Sequence, residues 1–178
     1  KVTIRDAVKR SVNLVAVRAV EGEAIAPINL VVEYAHRMGI SSQLPPYASL
    51  ALGAGEVEPL EFAAAFGVYA NHGVYVEPIS ILRIEDKDGN IIEENLPMQR
   101  EVLSEATAFI MTSLLQGVVD DPQGTGARVR SYFHYPAAGK TGTTNDFADA
   151  WFVGFTPADP YKGSFDKASD LAEQRLGM

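Results

Sequence analysis

Apolar residues recur along this chain with a helical period over its first part and with a period of two further on. Thr3 can cap a helix opening at Ile4, with Asp6 at its third position near the positive end of the dipole. Val8 and Ser11 continue that spacing, and the pattern breaks at Ser11-Val12-Asn13. A second amphipathic helix is expected over 27–38. Pro27 suits a first turn, Ile28, Val31, Val32 and Ala35 fall at i, i+3, i+4, i+7, and Gly39 ends it. Residues 43–55, rich in Pro, Ser and Gly, read as an ordered loop. A third helix should start near Pro59 and run through Leu60, Ala63, Ala64 and Val68 to a stop at Asn71-His72-Gly73.

The period then changes. Ile79-Ser80-Ile81-Leu82-Arg83-Ile84 and Ile91-Ile92-Glu93-Glu94 flank Asp88-Gly89-Asn90, which predicts a hairpin. Ser104 can cap a helix whose buried stripe is Ala108, Met111, Leu114, Leu115 and Val118. Residues 122–126 form a turn-rich loop, and strands are expected at 137–144 and 150–155, joined through Asn145-Asp146. Helices followed by a strand pair imply an α+β layer fold with the helical part packed on an antiparallel sheet.

Composition narrows the function classes. The 178 residues carry 15 Lys+Arg against 23 Asp+Glu, a net charge of −8 that argues against a general nucleic-acid partner. Length and a 47% hydrophobic content suit one domain with a sizeable core. With 0 cysteines there is no disulfide framework, and His36, His72 and His134 lack metal-ligand spacing, so no metal or cofactor is expected. The first residue is Lys1 and no signal-peptide pattern follows, which suggests a piece of a longer chain with any anchor upstream.

The most unusual stretch is Ala138-Gly139-Lys140-Thr141-Gly142-Thr143-Thr144. A phosphate-binding loop would need glycine where His134 stands, so the nucleotide reading fails. On a strand, Lys140 and Gly142 share one face. The ammonium then overlooks a surface left bare by Gly142, and Thr141 and Thr143 add hydroxyls, which together suit a peptide carboxylate. A solvent-facing strand with an incidental lysine explains the same pattern. Ser11-Val12-Asn13 taken alone is an ordinary helix end.

Taken together, Ser-x-Asn followed by Lys-Thr-Gly resembles the penicillin-binding transpeptidases and serine β-lactamases. The wording is closest to the transpeptidase domain of class A, bifunctional penicillin-binding proteins. It is carried by Val8-Lys9-Arg10-Ser11-Val12-Asn13-Leu14-Val15-Ala16-Val17, Ser49-Leu50-Ala51-Leu52-Gly53-Ala54-Gly55-Glu56-Val57, Tyr69-Ala70-Asn71-His72-Gly73 and residues 138–154. The resemblance covers residues 1–157, with a small hairpin insertion at about 76–97, and leaves 158–178 as a divergent or foreign tail. It implies part of the serine β-lactamase/penicillin-binding fold, with an incomplete sheet.

The resemblance also implies roles. Lys140, Thr141, Gly142 and Thr143 would receive the carboxylate of a D-Ala-D-Ala stem peptide or of a β-lactam. The Thr143 N–H would form half of an oxyanion hole. Ser11 would link Lys140 to the motif-one lysine and relay a proton to the leaving amine, and Asn13 would bind the substrate's peptide group. The implied setting is peptidoglycan cross-linking at the outer face of the bacterial cytoplasmic membrane, with a glycosyltransferase domain upstream. A β-lactamase, a β-lactam sensor and a non-catalytic stem-peptide-binding module are the alternatives. A β-lactamase needs a base for the deacylating water; Glu56 belongs instead to a structural loop.

One departure is large. The nucleophile should lie in a Ser-x-x-Lys motif before Ser11, and none of the ten residues there is serine, so that part of the domain is expected from an upstream segment. Ser164-Phe165-Asp166-Lys167 has the right spacing but follows Lys-Thr-Gly, the wrong order, and is short enough to arise by accident.

Overall fold

The structure is a computed structural model, and it describes residues 1–21, 25–144 and 149–157. The predicted Ser164–Lys167 motif and the Asn145-Asp146 connection lie outside the described residues. Helix α1 spans Ile4–Lys9 and is capped as expected: the Thr3 hydroxyl accepts from the Asp6 N–H at 3.1 Å. The chain then breaks at Ser11, whose φ of +54° is left-handed. Helix α2, Asn13–Val20, follows at once. The sequence did not suggest it, because Arg18 is the one polar residue after Asn13 and no amphipathic period shows.

Helices α3 (Ile28–Arg37) and α4 (Pro59–Ala70) stand where predicted, α4 with proline in its first turn. The loop at 43–55 contains a 3-10 turn, Ala48–Leu52. Helix α5, Glu105–Asp120, is capped by Ser104, whose hydroxyl accepts from the Thr107 N–H at 3.2 Å. Its buried face is Ala108, Thr112, Leu115, Val118 and Val119; Met111 and Leu114 are only half-buried. Thr112 can face inward because its hydroxyl donates to the Tyr69 carbonyl at 3.2 Å.

Among the described residues the strands form three separate antiparallel pairs. β1 (Val74–Val76) pairs with β4 (Gln99–Glu101), and each is too short for periodicity to reveal. The predicted hairpin exists as β2 (Arg83–Glu85) and β3 (Ile91–Glu94), extended by the Leu82 carbonyl accepting from the Asn95 N–H at 2.8 Å, but Ile79 and Ile81 stay outside the ladder. Its turn is closed by Asp86, whose carboxylate accepts from the backbone N–H groups of Asp88 and Asn90 at 2.8 and 2.9 Å. β5 (Ala138–Thr143) pairs with β6 (Ala150–Phe155), and among the described residues no further strand joins them.

The architecture is therefore α+β: α5 packs against β5, α4 against β6, and α1 against α5. One core cluster joins Met38, Ile40, Leu44, Ala65, Val68, Tyr75 and Val102, and Val118 and Val119 are fully buried where α5 meets the last sheet. Gly73, between α4 and β1, has φ +93°, and a Cβ there would lie 2.1 Å from the Leu103 carbonyl oxygen. Its own carbonyl accepts from the N–H groups of Val102 and Leu103 at 2.9 and 3.1 Å, so this glycine ties α4 to the segment entering α5. Among the described residues no helix is long and apolar enough to cross a membrane.

Candidate active site

Strand β5 leaves the core as it runs. Ala138 and Gly139 are buried, Lys140 and Thr141 half-buried, and Gly142 and Thr143 exposed. The strand is held in register by β6, with Lys140 opposite Val153, Thr141 opposite Phe152 and Gly142 opposite Trp151. A buried start and an open end suit a strand that fixes its first half and offers the second to a ligand.

The Lys140 ammonium donates to Ser11 Oγ at 2.5 Å and to the Thr141 carbonyl at 2.9 Å. Ser11 and Lys140 are 129 positions apart, so only tertiary folding brings them together. Burial lowers the pKa of Lys140 from its ordinary value, because removing water disfavours the charged form. Ser11 reaches Lys140 from a left-handed backbone, a conformation costly for a residue with a Cβ. Asn13 is exposed at the start of α2, two residues beyond Ser11. Thr143 is exposed at the far end of β5.

Three residues not singled out from the sequence complete the surroundings. The hydroxyl oxygens of Thr125 and Thr141 lie 2.6 Å apart. The Thr125 N–H donates to the Lys9 carbonyl at 3.0 Å. The Lys9 ammonium meets Asp121 at 2.6 Å and Asp6 at 3.1 Å. The bond to Asp121 raises the Lys9 pKa, and the same bond lowers that of Asp121. The loop after α5 is thereby tied to the helix that ends just before Ser11. Gly124-Thr125-Gly126 was visible as a turn, but nothing local marks which loop residue faces a strand 16 positions on.

An apolar recess of about 90 Å³ lies beside the strand, between Phe62 and Phe66 of α4 and Lys140, Thr141, Gly142, Trp151 and Val153. A larger recess of about 760 Å³ opens between Tyr34 and Arg37 of α3 and Ser104 and Thr107 at the start of α5, and it touches none of these polar groups. Convergence of an ammonium and three hydroxyls, not size, marks the candidate site. Among the described residues no cluster of His, Cys, Asp or Glu could hold a metal ion.

The profile of the penicillin-binding protein transpeptidase domain matches residues 1–164. The chain belongs to this family. It is 43% identical to penicillin-binding protein 1A of Aquifex aeolicus, over 88% of this chain and 20% of that protein. With penicillin-binding protein 1A of Neisseria meningitidis it shares 37% identity, over 99% of this chain and 22% of the relative. The chain thus spans about a fifth of the length of the curated relatives it matches. The crystal structure of penicillin-binding protein 1A from Haemophilus influenzae superposes with a TM-score of 0.77 at 27% identity, covering 86% of this chain and 28% of that one. The PonA1 protein of Mycobacterium tuberculosis in complex with penicillin V superposes at 0.69 with 22% identity, over 87% of this chain and 45% of that one, a likeness of fold.

Within this transpeptidase-domain chain, Ser11, Lys140 and Thr141 come together directly, and Gly142 and Thr143 continue the same strand. Asn13 sits on the same turn as Ser11, opening the next helix. The arrangement offers one ammonium bonded to the Ser11 hydroxyl, a paired threonine hydroxyl on the same strand and an open strand end, which suits an anionic peptide terminus.

Proposed function

We propose that this chain supplies the Ser-x-Asn and Lys-Thr-Gly parts of a serine D-alanyl-D-alanine transpeptidase that cross-links peptidoglycan and is acylated by β-lactams. The observation that carries the reading is the hydrogen bond from Lys140 to Ser11. It joins the two motifs across the fold, and a lysine of lowered pKa bonded to a hydroxyl is suited to passing a proton.

In this reading the C-terminal carboxylate of a D-Ala-D-Ala stem peptide lies against Lys140, Thr141 and Thr143, and its backbone passes over Gly142. The Asn13 amide bonds the substrate's peptide group. A serine from a Ser-x-x-Lys segment upstream of Ser11 gives its proton to that motif's lysine and attacks the penultimate carbonyl, and the Thr143 N–H stabilises the developing oxyanion. Ser11 passes a proton to the departing D-Ala amine, and the amine of a neighbouring stem peptide resolves the acyl-enzyme. In this reading the site works at the outer face of the bacterial cytoplasmic membrane, where peptidoglycan is assembled.

Intact mass after incubation with penicillin tests this. The 178-residue chain alone should gain no adduct while remaining folded by circular dichroism. Joined to the segment that precedes the matched region in the Aquifex aeolicus relative, it should gain one penicilloyl group, on a serine of that segment. Lys140→Met should slow the acylation at least about 100-fold. An adduct on Ser164 or Ser11 of the chain alone would overturn the assignment of the nucleophile. Weak reversible binding without acylation of the joined protein would leave only a binding module.

A further inference from the structure

Thr125 belongs to none of the motifs, yet its hydroxyl oxygen lies 2.6 Å from that of Thr141, and either atom can be the donor. Which one donates has a chemical consequence. A hydroxyl has one proton and two lone pairs. If Thr141 spends its proton on Thr125, it faces a ligand as an acceptor and repels a carboxylate. If Thr125 donates instead, the Thr141 proton is free to point outward at the anion. The two bonds then run in one direction and polarise each other.

The backbone fixes where Thr125 stands. Its N–H donates to the Lys9 carbonyl at 3.0 Å, and the following Gly126 N–H donates to Val118 at 3.0 Å. The Lys9 ammonium, bonded to Asp121 and Asp6, ties the same loop to α1. Thr125 is therefore fixed to the end of α1, just before Ser11, by its main chain and to the Lys140 strand by its side chain.

We propose that Thr125 is a positioning residue for anion recognition. Its hydroxyl donates to Thr141 Oγ1 and sets Thr141 as a donor toward the ligand's carboxylate, so that preference for a free carboxylate over a neutral terminus depends on a residue outside Lys-Thr-Gly. The inference rests on the carboxylate position in the function proposed above. Thr125 is exposed and Thr141 half-buried, so solvent limits the effect to that of one charge-assisted bond.

The test is titration of the 178-residue chain with Nα-acetyl-D-Ala-D-Ala and with its C-terminal amide, followed by NMR chemical shifts. Thr125→Val should weaken binding of the acid about five- to tenfold and change binding of the amide less than about twofold. Thr125→Ser should restore the acid, and Thr125→Val should add nothing in a Thr141→Val background. If Thr125→Val gives a collapsed spectrum, Thr125→Ala carries the same comparison. Equal loss for acid and amide, or no loss for either, overturns the inference and leaves the proposed function standing. If the unmodified chain does not prefer the acid to the amide, the carboxylate receptor falls, and this inference with it.

Discussion

Gly142 and Gly73 are glycines for opposite reasons. Gly73 has φ +93° and its missing Cβ makes room for the Leu103 carbonyl, so the chain itself demands it. At Gly142 the backbone φ is not positive, and a Cβ would meet only Trp151 Cβ, at 3.7 Å. Nothing inside the protein needs that position bare, which fits a surface kept clear for a ligand's backbone. Gly142→Ala is therefore expected to leave the thermal midpoint within about 2 °C and to weaken Nα-acetyl-D-Ala-D-Ala binding about tenfold or more, as read by calorimetry and NMR titration. Unchanged binding would remove the argument for Gly142. Residue types and motif order at 138–144 were legible in the sequence; the direction from which Ser11 approaches was not. A left-handed φ at a serine has no signature in composition or period.

At the scale of elements, side-chain caps mark where α1 and α5 start, and one contact ties the loop after α3 to the first turn of α4. Glu61, in the first turn of α4, accepts from the N–H groups of Ser41 and Ser42 at 3.0 and 3.2 Å, from the Ser42 hydroxyl at 2.7 Å and from the Ser41 hydroxyl. These donors, the Ser41 and Ser42 side chains above all, hold its pKa down at about 2 against an ordinary 4.5. A depressed carboxyl contributes stability in full above its unfolded value and loses it as pH falls toward the folded one. The expected outcome is a gap in thermal midpoint between the native chain and Glu61→Gln that is largest above pH 4.5 and closes toward pH 2. A gap that stays constant over that range would show that the carboxylate's charge is irrelevant. Glu61 is only half-buried, so solvent reaches the carboxylate and added salt should narrow the gap as well. Helices α3, α4 and α5 were readable because each combines a starting residue with an apolar period. Helix α2 and strands β1 and β4 were not, since α2 lacks a polar face and the two strands have three residues each.

Across the whole molecule, stability is distributed unevenly. Val68, Val118 and Val119 are fully buried, whereas every residue of β2 and β3 is exposed. A two-stranded ribbon with no covered face is marginal by itself. Amide hydrogen exchange should therefore be slowest through the middle of α5 and in α4 around Val68, and at least about 100-fold faster in β2 and β3. Equal protection in the hairpin would mean that a surface covers it in solution. By itself the sequence determined the α+β class, the starts of α1, α4 and α5, the hairpin turn and the family resemblance, because each depends on a few neighbouring residues and their backbone preferences. The resemblance implied that Ser11 meets Lys140, but only the tertiary structure decided the left-handed turn from which Ser11 reaches it and that Thr125 meets Thr141. Those contacts depend on how α1 and α5 pack against each other and α5 against β5, and side-chain packing over such separations leaves no local pattern in the chain.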